Sequence, residues 1–479
     1  MSALWTFDAL VAATGGRLLP AGTAGAGVAG GLSIDSRSLK PGDAFLAITG
    51  DRLDGHDYVA AAFAAGAALA VVAEDRTAEL AGAGPLLAVP DVMEALRAMA
   101  RAARARSSAG IVAVTGSVGK TGTKEALRCA LGAIGPVHAS AASFNNHWGV
   151  PLSLARLPAD ARYGVFEIGM SAPGEITPLV RMVRPQVAIV TTIAAAHAAF
   201  FASEEEIADA KAEIFLGLEP GGTAILNRDN RHFERLAAAA RRAGARVVSF
   251  GADAAADVRL TDVVLGAEGS DITADIAGTR HVWRLGAPGR HMALNALAVA
   301  AAVAALGAPL APALDALAGF TAPAGRGRRH TLHLAGGTAT LIDEAYNANP
   351  ASMRAAIALL ALTPTGPGGR RIAVVGDMRE LGDEGAALHA GLAPDFVAAG
   401  IDCVHCAGPL AAALYDALPA ALKGAYAQSA ADLEPAVIAG LRPGDAIMVK
   451  ASNGSRLGPL VTHLCTRYAA PAAAVGSGD

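Results

Sequence analysis

Cysteine is scarce in this chain: Cys129, Cys403, Cys406 and Cys465 are the only four in 479 residues. Low cysteine use fits a reducing compartment and argues against a disulfide framework. Cys403-Val-His-Cys406 has the spacing of a zinc knuckle, but no second Cys/His pair follows at a suitable distance. The segment "IDCVHCAG" reads instead as a buried strand carrying inert thiols. Aromatic residues make up 4% of the chain, so the cores must be built from small aliphatics. Clustered positive charge is also missing. The formal net charge is -4 and "RGRRH" (326–330) is the one basic cluster, which excludes nucleic acid as the main partner. The N-terminus has no basic stretch of the kind that opens a signal peptide. Mean hydropathy is +0.39, yet the most apolar stretch, residues 294–313, holds Asn295 and is broken by Gly307 and Pro309. That falls short of the ~20 apolar residues a membrane span needs. A packed helix, no membrane span and a cytoplasmic protein are expected.

What the chain does have is rhythm. Short apolar runs such as "AGIVAVTG", "YGVFEIG", "QVAIVTTI", "GTAILN" and "RVVSFG" alternate with helical stretches, and "RIAVVGD", "DCVHCAG" and "DAIMVKAS" follow later. Runs without polar alternation predict strands buried on both faces, and the strand–helix alternation predicts an α/β protein with parallel sheets. A helix ending near Arg106 and a Gly/Pro/Arg linker at 319–330 divide the chain into three domains, 1–106, 107–321 and 322–479.

"VTGSVGKTGTKEAL" (114–127) lies between a buried strand and a helix. It fails the common phosphate-loop pattern, which wants glycine where Val114 stands. The context nevertheless suits phosphate, because backbone N–H groups and the dipole at a helix N-terminus attract it. Gly116 and Gly119 permit close backbone approach, Lys120 can reach β- and γ-phosphates, and Thr121 offers a hydroxyl to Mg²⁺.

Three further features stand out. In "ASEEEIADAKAEIFLGL" (202–218), Ser203 and Glu206 form a capping box that starts a helix. Lys211 falls inside the stripe made by Ile207, Ile214, Phe215 and Leu218. It is either a snorkelling lysine or a functional one, neutralised or modified. Glu167 ends one predicted strand and His197 follows another; ligands collect at the carboxyl ends of parallel strands. "IDEAYNANPASM" (342–353) reads as a binding loop or as an ordinary Asx turn.

Together these segments resemble the Mur ligase family, the ATP-dependent amide-forming enzymes of peptidoglycan and cell wall synthesis. "TGSVGKT" (115–121) matches each fixed position of that family's loop, and the resemblance runs over nearly the whole chain. It implies a central P-loop parallel-sheet ATPase domain, a C-terminal Rossmann-like domain and an N-terminal uridine-nucleotide-binding module, here "DSRSLKPGDAFLAITGDRLDGHDY". It implies ATP contacts from Thr115, Gly116, Ser117, Val118, Gly119, Lys120, Thr121 and Gly122. Further ATP contacts are implied from His291, Asn295, Arg326, Asp343, Tyr346 and Asn347. Lys120, Glu167, His197 and Lys211 are the implied catalytic set. Two Mg²⁺ sites are implied at Thr121, Glu167, His197 and a carbamylated Lys211. Substrate contacts are implied from Ser36, Arg37, Asn145, Asn146, Asn349 and Ser352.

"YNANPASM", "VVGDMRELGDEGAALH" and "VKASNGSR" are similar to the member of the series that joins D-alanyl-D-alanine to UDP-N-acetylmuramoyl-tripeptide, acting as a monomer. A sibling ligase adding the third peptide residue and a folylpolyglutamate-type ligase are the alternatives, with a P-loop nucleotide switch as the non-enzyme reading. "NRDN" (227–230) is a poor guanine motif for such a switch. The chain departs from the family at Ala198, Ala199 and Ala202 after His197, and at Ala451, where glycine is usual.

Overall fold

The computed structural model describes residues 3–20, 27–50, 52–141, 144–195 and 201–470. Among the described residues, three larger sheets succeed one another along the chain, beside a two-stranded pair of Trp5–Thr6 with Val28–Ala29. The first has five strands in the order Arg17–Leu19, Leu86–Val89, Leu69–Ala73, Ala44–Leu46, Leu32–Ser33; all neighbours are parallel except the first pair. The helix Val92–Arg106 leaves it, capped by Asp91, whose carboxylate accepts from Glu94 N at 2.8 Å.

The central sheet has nine strands. Gly110–Thr115 lies between Tyr163–Glu167 on one side and Val187–Val190 on the other, so the strand order reverses at its carboxyl end. Crevices at such switch points are where open α/β sheets bind ligands. The apolar runs become strands because both faces are covered: Ile111, Val112, Ala113 and Val114 are all fully buried.

The central and C-terminal sheets also carry antiparallel strands at an edge. Val258–Gly266, Gly269–Ile276 and Thr279–Leu285 form an antiparallel edge. Ala277 and Gly278 both take positive φ, 52° and 80°, in a two-residue hairpin turn that only antiparallel neighbours can use. A second hairpin, Arg328–Leu334 with Gly337–Glu344, opens the six-stranded C-terminal sheet. Its remaining strands are parallel, in the order Ala446–Lys450, Arg371–Gly376, Cys403–Ala407, Lys423–Ala427. Cys406 is buried, and burial pushes its thiol up to about 12, so it is inert packing.

Packing ties the first two sheets together. One apolar core runs from Trp5, Phe7 and Leu10 through Leu96 and Met99 to Val150, Phe166 and Val180. Arg104, almost wholly buried, donates to Val183 O and Arg184 O, each at 2.8 Å, and so satisfies the last carbonyls of the helix Ile176–Val183. The C-terminal sheet has separate cores on its two faces, around Phe396 and around Leu460. Among the described residues no helix is long and apolar enough to cross a membrane; the 294–313 stretch lies mostly in the packed helix Arg290–Ala305.

Candidate active site

The phosphate loop turns at two glycines. Gly116 has φ 146°, and a Cβ there would collide with Thr191 Oγ1. Gly119 caps the helix Lys120–Gly132 at φ 87°, where a Cβ would sit 2.9 Å from Asn295 Nδ2. The loop is braced by the end of the neighbouring strand. Ser117 N donates to Thr192 O (2.9 Å), Ser117 Oγ to Ala194 O (3.0 Å) and Thr191 Oγ1 to Val118 O (2.6 Å). Ser117 therefore spends its hydroxyl on the scaffold, leaving backbone N–H groups and Lys120 to face a ligand. Thr115 is fully buried beneath the loop, and Gly122 packs on Met292.

Lys120 Nζ folds back onto Gly116 O at 2.7 Å. Burial lowers its pKa; the Glu167 carboxylate opposes that and Arg326 adds to it. One helical position on, Thr121 Oγ1 donates to Glu167 Oε2 at 2.9 Å, and Asn145 Nδ2 donates to Glu167 Oε1 at 2.8 Å. Glu167 is 1% exposed with both carboxylate oxygens engaged. Asn145, expected to meet substrate, thus holds Glu167, while Asn146 Oδ1 accepts from Gly149 N.

Lys211 is 1% exposed on the helix Glu204–Ala212, among buried Ile207, Ile214 and Phe215. No hydrogen bond or ion pair holds its amine among the described residues. Burial, reinforced by the charge of Lys120, drives its pKa well below the usual 10.5. Of the two readings left open, snorkelling is the one this burial rules out. The capping box is shifted by one residue: Ser203 Oγ accepts from Glu206 N, and Glu206 Oε2 from Ala202 N. The predicted continuous helix tightens into a 3-10 turn at Glu213–Gly217, where Glu213 caps Gly174 N and Thr177 N. His197 lies outside the described residues.

The linker and the C-terminal sheet close the site from above. Arg326 stacks on the Tyr346 ring at 4.6 Å. Asp343 pins the linker, accepting from Gly325 N at 2.6 Å and Ala345 N at 3.2 Å. His291 is lowered by burial, against which the Glu344 carboxylate acts, while Lys450 adds to the lowering. Lys450 and Glu344, which sequence reasoning missed, form a 3.0 Å pair at the carboxyl ends of adjacent strands; Lys450 also donates to Asn347 O at 3.0 Å. A lysine in "VKAS" gives no spacing signal for such a pair. Ala451, fully buried, sits over Gly376, so the extra methyl is housed by a glycine opposite. Asn349 and Ser352 are consumed in a reciprocal cap of the helix Pro350–Leu362, the ordinary turn left open by the sequence.

Two cavities flank this centre. A cleft of ≈ 2230 Å³ between the first and central sheets is lined by Ser36, Arg37, Phe144, His147, Trp148 and Arg156 among others. Arg37 is held by Asp35 at 2.7 Å and stays largely exposed. A cavity of ≈ 310 Å³ at the carboxyl ends of the C-terminal strands is lined by Tyr346, Asn347, Arg379, Glu380, Ser452, Asn453 and Gly454.

Among the described residues no three His, Cys, Asp or Glu side chains converge as a preformed metal cage. One hydroxyl beside one carboxylate still suits Mg²⁺, which binds through one or two carboxylates plus substrate phosphates and keeps several waters.

A family model described as "Mur ligase middle domain" matches residues 114–303, "Mur ligase, glutamate ligase domain" matches 327–453, and "Mur ligase family, catalytic domain" matches 29–104. The UDP-N-acetylmuramoyl-tripeptide--D-alanyl-D-alanine ligase of Escherichia coli K12 is 38% identical over 379 residues, 79% of this chain and 81% of that protein. The protein of the same name from Synechocystis is 36% identical over 445 residues, 90% of this chain and 91% of that one. Among solved structures, MurF from Acinetobacter baumannii superposes with TM-score 0.82 at 29% identity, covering 96% of this chain and 99% of that one. MurF ligase from Thermotoga maritima in complex with ADP gives 0.74 at 25% identity, covering 91% and 98%.

Proposed function

The chain belongs to the Mur ligase family, and on that premise we infer that it is an ATP-dependent peptide ligase joining D-alanyl-D-alanine to UDP-N-acetylmuramoyl-tripeptide. The observation that carries the reading is the convergence of Lys120, the Thr121–Glu167 pair and Lys211 at the switch point of the central sheet, facing Arg326 of the linker.

The carboxylate of the tripeptide is a poor electrophile. Its oxygen attacks the γ-phosphorus of ATP, ADP leaves, and an acyl phosphate forms. The dipeptide amine then attacks the acyl carbon, loses a proton, and expels phosphate. Most of the catalysis in phosphoryl transfer is positioning and charge stabilisation. Backbone N–H groups of residues 118–121 cradle the phosphates, while Lys120 offsets charge on the group in transfer. Arg326, its plane set by Tyr346, approaches from the linker. Mg²⁺, held at Thr121 and Glu167, with His197 and Lys211 contributing, would neutralise phosphate charge and draw the acceptor carboxylate close. Burial favours the neutral amine of Lys211, which can add to CO₂ with loss of a proton to give a carbamate; a buried amine then becomes an anionic oxygen ligand.

The large cleft has the size and aromatic lining for the uridine nucleotide, with Ser36 and Arg37 at its wall. The smaller cavity suits the dipeptide. Arg379 lies against Gly454 without an ion-pair partner among the described residues, ready for the dipeptide carboxylate. In this reading the chain divides into a nucleotide-substrate unit (1–106), an ATP unit (107–321) and a ligase unit (322–479), and works as a cytoplasmic monomer. Closing the third unit over ATP excludes water, which would hydrolyse the acyl phosphate.

The test is phosphate release with ATP, Mg²⁺, UDP-N-acetylmuramoyl-tripeptide and D-alanyl-D-alanine. Release requiring both peptide substrates supports the ligase; release indifferent to either returns the chain to the nucleotide-switch reading.

A further inference from the structure

Lys124 has no part in the scheme above, yet it is fully buried in the phosphate-loop helix, one turn beyond Lys120. A buried ammonium is costly unless paired and hydrogen-bonded. Its Nζ donates to Ser140 O at 2.8 Å and pairs with Glu125 Oε1 at 2.9 Å.

Ser140 follows the edge strand Val137–Ala139 and is 2% exposed. Its backbone N donates to Val165 O at 3.0 Å, and its Oγ accepts from Glu167 N at 3.2 Å. From Ser140 the chain runs to Asn145, whose amide holds Glu167 Oε1. The backbone of Glu167 is therefore fixed by the residue that Lys124 anchors, while Asn145 holds one of its carboxylate oxygens. The other oxygen is fixed by Thr121, on the same helix as Lys124.

We propose that Lys124, through Ser140, is a positioning residue that locks the carboxylate of Glu167 to the phosphate-loop helix. The proposal rests on the reading of Glu167 as a member of the Mg²⁺–phosphate site. A lysine suits the task because it spans from the helix to the strand end and gives a buried carbonyl its donor, which no aliphatic side chain could do.

The experiment compares Lys124→Met, Ser140→Ala, Glu167→Gln and Lys124→Met/Glu167→Gln in the full chain. It measures kcat, and ADP affinity by calorimetry with and without Mg²⁺. Lys124→Met is expected to lower kcat about 10–100-fold, the range for losing a group that orients a metal ligand. It should weaken the Mg²⁺-dependent gain in ADP affinity and leave Mg²⁺-free affinity unchanged. In the Glu167→Gln background the same substitution should cost nothing further, since residues acting through one another are not additive. Ser140→Ala should reproduce the pattern without disturbing a buried charge, and it decides the matter if Lys124→Met does not fold. Wild-type kcat in Ser140→Ala and Lys124→Met, or a loss that multiplies fully with Glu167→Gln, overturns the proposal. If Glu167→Gln alone keeps wild-type kcat, the reading of Glu167 has failed, and the proposal falls with it.

Discussion

Replacing Lys211 by methionine should stabilise this protein while abolishing its turnover. The side chain is 1% exposed and its amine has no partner among the described residues, so folding strips it of water with no hydrogen bond from those residues in return. Mutational data put a buried, unpartnered polar group at about 1–3 kcal/mol. Methionine keeps the volume among Ile207, Ile214 and Phe215 and removes that cost. At about 2–4 °C per kcal/mol for a unit of this size, the melting transition should rise by roughly 2–12 °C in CO₂-depleted buffer.

The pH dependence fixes the sign. Because the folded-state pKa is lowered from 10.5, the unfolded chain binds the extra proton between the two values. Stability of the unmodified protein then rises with pH across that window. The penalty is complete below the lowered value and gone above 10.5, so the advantage of Lys211→Met should shrink as pH rises. The assay is a pair of thermal melts at two pH values with phosphate release measured alongside. ¹³C-labelled bicarbonate should add a carbamate resonance to the wild type and none to the variant. A variant that melts lower at both pH values, or one that keeps full activity, refutes the reasoning.

Lys120→Ala should reduce phosphate release to background with an unchanged far-ultraviolet circular dichroism spectrum; substantial turnover would refute its phosphate role. Arg379→Ala should raise KM for D-alanyl-D-alanine about 10–100-fold, the worth of one charge-assisted contact, and leave KM for ATP alone. Equal effects on both constants would move the dipeptide elsewhere. Lys450→Met strands Glu344 in a buried position and should cost about 3–5 kcal/mol in urea unfolding of the C-terminal transition. Adding Glu344→Leu should recover most of that, and a double variant as unstable as the single one would contradict the pairing.

The parallel strands were legible because burial on both faces leaves runs such as "IVAV" and "VAIV" without polar interruption. Strands with one open face were not: Val258–Gly266 interleaves Asp262 and Thr261 with Val263 and Leu265, and its partner is chosen by a hairpin turn. Lys211 could be singled out because helical spacing is local. Lys124 could not, since a lysine followed by glutamate on an amphipathic helix reads as solvated; its burial against the strand end at Ser140 is a tertiary contact. The junction of Thr121, Asn145 and Glu167 spans 46 residues of chain, and spacing alone carries no such distance. Asn349 and Ser352 show why a polar pair is ambiguous in sequence, since the same side chains form the cap of the helix Pro350–Leu362.

The acyl phosphate is the central claim, and isotope transfer tests it directly. With ¹⁸O in the terminal carboxylate of UDP-N-acetylmuramoyl-tripeptide, the bridging oxygen leaves with phosphate when the amine attacks carbon. Mass spectrometry of the phosphate released with ATP and D-alanyl-D-alanine should find one ¹⁸O per molecule. Phosphate free of label, accompanied by full amide product, would contradict the account.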